Sequence, residues 1–190
     1  MSETRSWQEM YASIGDLLVR RTGEGVDAWN ARIREHGFAD EQSLRAWLTD
    51  QGVTGYTQSL LVMERFGYPD WALAPPDRLI EGQYADRAHL RPILDAVLAR
   101  ATDLGPLGVQ ARKGYVTLLT PRRTFASIEP TTKSRVDVGL RLPDARPTGR
   151  LEPARSIGQS SMTVRIGLSS VDEVDDEVAD WLRKAYEANS

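Results

Sequence analysis

Cysteine is absent from this 190-residue chain, and histidine occurs only at His36 and His89. Without thiols there can be no disulfide, no thiolate zinc or iron–sulfur site and no cysteine nucleophile. The two histidines fall at a helix end and in a first helical turn, a pattern with no metal-ligand spacing. Long apolar runs are lacking too. No stretch approaches the roughly 18 apolar residues of a membrane span, and Met1-Ser2-Glu3-Thr4-Arg5 lacks the apolar stretch of a secretory signal. The expectation is a cytoplasmic protein with no membrane partner.

Familiar catalytic strings are missing as well. Pro69-Asp70 and Pro143-Asp144 could each open a metal-dependent nuclease signature. That signature needs an acid two residues before a lysine, and Lys113, Lys133 and Lys184 follow Ala111, Thr131 and Leu182 at that distance. Gly23-Glu24-Gly25-Val26-Asp27-Ala28 matches the loose dinucleotide-binding string, but helix-periodic residues precede it where a strand is required. Lys113-Gly114 has no spaced glycine partner, so there is no P-loop. Asp172, Glu173, Asp175, Asp176 and Glu177 lack the central glycine of a calcium loop, and they suit the first turn of a helix. No catalytic motif, metal or cofactor is expected.

Apolar residues make up 41% and charged residues 27%, a globular balance, and the length suits one generous domain or two small ones. The net charge of −3 hides an asymmetry: residues 1–107 carry −5, residues 108–165 carry +7 and residues 166–190 carry −5. Such a basic segment points to a polyanion-facing surface.

The first 68 residues read as four short helices. Ser6 to Glu9 has capping-box spacing, Trp7, Met10, Tyr11, Ile14, Leu17 and Leu18 follow at helical period, and Gly23 stops the helix. Val26, Trp29 and Ile33 mark a second helix, Leu44, Trp47 and Leu48 a third opened by Asp40, and Leu60, Leu61 and Met63 a fourth. Tyr68 to Gln83 holds three prolines and a glycine. It reads as a Pro-rich connector, 69–83, between a helical domain, 1–68, and an α+β domain, 84–190. Within the last, Asp86 is expected to cap a helix carrying Leu90, Ile93, Leu94, Val97 and Leu98. The period then changes to two, with strands at 109–112, 114–120, 124–129, 135–142 and 161–168. The segment 143–160 reads as a long loop. Ser170 to Glu173 reads as a capping box opening a closing helix with Val174, Val178, Trp181, Leu182 and Tyr186. The fold class is α+β, an antiparallel sheet with both helices on one face. The segments 69–85 and 143–160 are expected to sustain neither helix nor ladder.

Strand parity points Arg135, Arg141 and Arg165 away from the core. With Lys113, Lys133 and Arg150 they form the candidate polyanion-binding set, for nucleic acid or a phosphorylated ligand, and Thr131, Thr132 and Ser134 add hydroxyls beside the cations. Stacking residues in this segment are limited to Tyr115 and Phe125. Two other readings stay open. One is a protein–protein adaptor in which Trp71, the one tryptophan off a helical stripe, anchors a partner. The other is an enzyme with an anionic substrate, using Glu129, Asp137 or Glu152 as base.

The strings Gln83-Tyr84-Ala85-Asp86, Leu90-Arg91-Pro92-Ile93, Lys113-Gly114-Tyr115-Val116, Pro130-Thr131-Thr132-Lys133, Arg135 through Leu140 and Thr148-Gly149-Arg150-Leu151 resemble an uncharacterised bacterial two-domain family. In it a helical domain of unknown function precedes an α+β domain sometimes labelled a predicted transport protein and also found attached to restriction-type proteins. The helical part is carried by Trp29, Trp47-Leu48 and Gly52 through Tyr56. The closing Trp181-Leu182-Arg183-Lys184 is distantly similar to YdhG- and YjbR-like domains, which are suspected of nucleic-acid binding. The resemblance implies architecture and brings no catalytic residues.

Overall fold

A computed structural model describes residues 4–5, 7–154 and 161–190. The chain divides into a helical unit, Ser6–Ala74, and a sheet unit made of Pro75–Ser190 together with the strand Thr4–Arg5.

The helical unit holds α1 (Trp7–Thr22), α2 (Val26–His36), α3 (Glu41–Asp50), α4 (Gly55–Phe66) and the single turn α5 (Asp70–Leu73). Helix α4 packs against α1, α2 and α3, because its stripe of Leu60, Leu61 and Val62 is apolar nearly all round. One core cluster gathers Leu18, Trp29, Ile33, Leu44, Leu48, Val53, Leu61 and Val62, and a second gathers Met10, Ile14, Leu60 and Ala72. Asp40 caps α3 by accepting from the Ser43 N–H at 2.8 Å, as its position predicts. The Gly23–Gly25 string is a helix-to-helix turn, with Gly23 at φ 79°. The Ser6 capping box lies outside the described residues.

The connector expectation needs correction, because Pro76–Tyr84 is helix α6 and buries Ile80, Gln83 and Tyr84. Pro76 stands in the first helical turn, where a missing N–H costs nothing and the fixed φ favours the helix, so this proline initiates the helix and does not break it. Asp86 does not cap the next helix. Its carboxylate accepts from Arg87, and the chain passes through a 3-10 turn, Ala88–Leu90, into α7 (Arg91–Thr102) with Pro92 in the first turn.

The sheet runs β1-β2-β3-β4-β5-β7-β6. Its strands are β1 (Thr4–Arg5), β2 (Gly108–Ala111), β3 (Val116–Leu119), β4 (Thr124–Glu129), β5 (Val136–Leu140), β6 (Glu152–Pro153) and β7 (Val164–Leu168). Strand β1 pairs in parallel with β2, and all other pairings are antiparallel. The fold is α+β. Val136, Val138 and Leu140 stand opposite Leu168, Ile166 and Val164, and all six join the core formed with α7 and α8 (Asp176–Asn189).

Two more expectations change. The loop 143–160 contains strand β6, and its residues 155–160 lie outside the described part. The capping box at Ser170 is displaced: Glu173 accepts from the Ser169 N–H, residues 171–173 make a 3-10 turn, and Asp175 caps α8 by accepting from Val178. No described helix is long and apolar enough to cross a membrane.

Candidate functional site

With the even positions of β5 and the Val164, Ile166, Leu168 set of β7 turned into the core, Arg135, Asp137, Gly139, Arg165 and Gly167 face the other way. Across that face the register lines up Gln110, Thr117, Ser127, Gly139, Arg165 and Glu152. Gln110, Thr117 and Ser127 are buried, so this strip is not the solvated arginine face that parity alone suggests.

At its centre Asp137 is fully buried. Its Oδ2 accepts from Thr131 Oγ1 at 2.6 Å, Arg165 Nη1 at 2.8 Å and Arg135 Nη2 at 3.2 Å. Arg135 Nε lies 3.0 Å from Oδ1, close enough for ionic contact but out of line for a hydrogen bond. Arg165 also reaches Glu152, its register partner on β6, with Nη2 to Oε2 at 2.8 Å. Gly167 is where this packing needs the absence of a side chain, since a Cβ there would sit 2.9 Å from Arg135 Cδ and 3.3 Å from Asp137 Oδ1.

The β4–β5 turn is gripped from both sides. Arg87 donates to the Pro130 carbonyl at 2.6 Å and the Thr132 carbonyl at 3.1 Å, while Thr131 bonds Asp137. Lys133 at its tip is 81% exposed and 3.9 Å from Asp86, whose pKa is lowered chiefly by its hydrogen bond from Arg87.

The six candidate cations therefore separate. Arg135 and Arg165 converge on Asp137, and Lys133 stands near Asp86. Arg150 bonds Asp175 at 2.6 Å and the Glu173 carbonyl at 2.7 Å. Lys113 is exposed in the β2–β3 turn. Arg141, just past β5, belongs with Arg122 and Arg123 of the β3–β4 turn: the Arg123 pKa is lowered, first by desolvation and then by these two neighbours. Among the described residues no carboxylate pairs with any of the three. Arg122 and Arg123 were not singled out by strand parity, because turn residues have none.

Of the proposed bases, Glu129 lies opposite Asp137 in the register and Glu152 opposite Arg165. Asp137, held by two guanidiniums and a hydroxyl, is built to position cations. Trp71 is half-buried against the second helical cluster and lines a cleft of about 360 Å³ with Met63, Phe66 and Tyr68. His36 packs on Phe38 and Trp47. Among the described residues no three histidine or acidic side chains could hold a metal ion.

Arg150 and Asp175 supply a pH test. The Asp175 pKa is lowered, first by the Val178 N–H and further by Arg150. A lowered folded-state pKa adds stability above the unfolded value of about 3.9, and this is lost as pH falls through the folded value. Asp175→Ala is expected to cost about 1 kcal/mol at pH 7, with the gap to wild type closing in acid. Urea denaturation at both pH values measures it, and an equal cost at each would contradict the assignment.

No curated protein matches this chain, and neither does any solved structure. The helical unit and the distant YdhG and YjbR likeness thus have no comparison behind them. Residues 80–189 match the family model described as a domain of unknown function, DUF5655. That match runs from the middle of α6 through the closing helix and covers more than half of the chain, and the protein belongs to this family.

Proposed function

We propose that the sheet unit is a non-catalytic binding module for a polyanion, nucleic acid foremost, engaged by Arg122, Arg123 and Arg141. One observation carries the reading: three guanidiniums gather at one end of the sheet with no acidic partner among the described residues, close enough for Arg123 to be perturbed by the other two. Like charges held together oppose folding, and a row of phosphates relieves that repulsion. Arg135, Arg150 and Arg165, already paired within the chain, serve the fold in this reading. Arginine suits the task because its planar fork meets phosphate oxygens two at a time.

The test is a titration with short DNA and RNA against salt. Three phosphate contacts on duplex DNA give a slope of log affinity on log salt near −2.7, a loss of about 40-fold between 50 and 200 mM salt. The double variant Arg122→Ala, Arg123→Ala should flatten that slope by about 1.8 and weaken all sequences alike, since phosphate contacts carry no base readout. Wild type that binds neither nucleic acid at low salt, or a double variant with an unchanged slope, removes the reading.

A further inference from the structure

The arginines of the proposed nucleic-acid site share one buried support. Thr120, just past β3 and 5% exposed, accepts on Oγ1 from the Arg122 N–H at 3.2 Å and the Arg123 N–H at 3.1 Å, and its hydroxyl donates to the Asn189 carbonyl at 2.7 Å. Asn189, buried in the last turn of α8, uses both amide protons: one goes to the Arg141 carbonyl at 2.9 Å and the other to the Ala185 carbonyl at 2.7 Å. The Arg141 N–H is held in turn by the Phe125 carbonyl at 2.8 Å. One hydroxyl and one amide thus tie the backbone of Arg122, Arg123 and Arg141 to the closing helix. The side chains remain accessible, Arg122 exposed and the other two half-buried. The charge of this end also survives its neighbours. In the following turn exposed Asp144 and Arg146 cancel, and the three arginines against Glu187 of the last turn of α8 leave a net +2.

Cations on a fixed backbone favour phosphates that are already in place. A duplex offers these, whereas a single strand has to be ordered on the protein and loses chain entropy in doing so. Single-strand binders offset that loss by stacking bases on rings. The rings nearest this end are otherwise used. Phe125 is fully buried and edge-on to Tyr186, with centroids 5.4 Å apart. Trp181 lies about two turns back along α8 and packs on the core, with Lys184 Nζ 4.2 Å from its ring centroid. Tyr115 precedes β3, at the opposite end of that four-residue strand and roughly 13 Å from the turn.

We infer that this end of the sheet unit binds duplex nucleic acid in preference to single strands, and that Thr120 and Asn189 are the positioning residues which set its guanidiniums for the paired backbone. The inference rests on the polyanion reading of Arg122, Arg123 and Arg141 and adds to it the form of the ligand. Phosphate contacts carry no base readout, so the discrimination is by form and not by sequence.

The experiment titrates the full chain by fluorescence anisotropy at low salt with a short DNA duplex, an RNA duplex and the separated strands of each. At least one duplex should be bound about tenfold more tightly than either of its strands, and the tighter duplex names the source. Salt slopes should lie near −2.7 for the DNA duplex and −2.1 for its strands. Thr120→Val keeps the branched shape but removes the acceptor of both turn N–H groups, and should reduce the preference to about twofold with strand affinity unchanged. Thr120→Ser keeps the hydroxyl and should restore it. Asn189→Ala frees the Arg141 carbonyl and should act as Thr120→Val does, a second route should the valine variant fail to fold. Lost stability alone weakens duplex and strand together, so the ratio of the two separates positioning from folding. Wild type that holds single strands as tightly as their duplexes overturns the inference and leaves the polyanion reading standing, whereas wild type that binds neither form removes both. Folded Thr120→Val and Asn189→Ala proteins with the wild-type ratio overturn the positioning role.

Discussion

Replacing Asp137 by Ala is expected to cost the sheet unit about 3 kcal/mol. The residue is fully buried, and its carboxylate accepts from Thr131, Arg135 and Arg165. Removing one partner of a buried ion pair typically costs 3–5 kcal/mol, because the charge left behind has lost both its water and its counter-ion. The lower end applies here, since the Arg135 and Arg165 side chains are 38% and 18% exposed and can recover some hydration. For a unit of about 110 residues the melting temperature should fall by roughly 12 °C or more. Asp137→Asn should fall between the two, keeping the volume and an acceptor for Thr131 while losing the charge. Thermal melts of the three proteins decide the matter. An Ala variant within about 1 kcal/mol of wild type would mean the guanidiniums simply rehydrate and the network holds nothing together.

In the helical unit the corresponding residue is Trp29. It is 3% exposed, stands edge-on to Trp47 with ring centroids 5.9 Å apart, and donates from Nε1 to Thr22 Oγ1 at 3.1 Å. Arg32 lies over its ring, the guanidinium carbon 4.3 Å from the ring centroid. Trp29→Ala therefore removes a core aromatic, a cation–π contact and one donor, for a loss of about 3–5 kcal/mol. A unit of about 70 residues has only some 3–10 kcal/mol of stability in all. The variant should lose much of the helical signal of residues 7–73 at room temperature, and proteolysis should attack this stretch while the sheet resists. Trp29→Phe should cost far less. A Trp29→Ala protein with wild-type helical content and protease resistance would show that the four helices draw their stability from elsewhere.

What could be read from sequence and what could not divides by the range of the interaction. Val136, Val138 and Leu140 alternate with Asp137 and Gly139, so β5 and its two faces were legible from neighbours two apart. The same parity places Asp137 on the face of Arg135, and the pairing of a carboxylate with that arginine was therefore open to inspection. That Arg165 joins them, and meets Glu152, depends on the order β5-β7-β6, which no local pattern encodes. Arg150 reads as a loop cation until the start of α8 is brought to it. The departures near Pro76 and Asp86 have one local cause: a proline or an acid has two roles at a helix start, and its offset from that start decides between them. Thr4–Arg5 carries no alternation at all and becomes a strand only because β2 offers it a ladder.

Those two residues have a use beyond pairing. A sheet that ends in a long bare strand is a template for another copy of itself, and unchecked it leads to aggregates. Here the outermost strand holds two residues on either flank among the described residues, β1 beside β2 and β6 beside β7. Each occupies part of its neighbour's outward N–H and C=O groups while offering too little backbone of its own for an incoming chain to zip onto. The sheet thus ends in stubs, and its guard against edge-to-edge pairing lies in the shortest described elements of the fold.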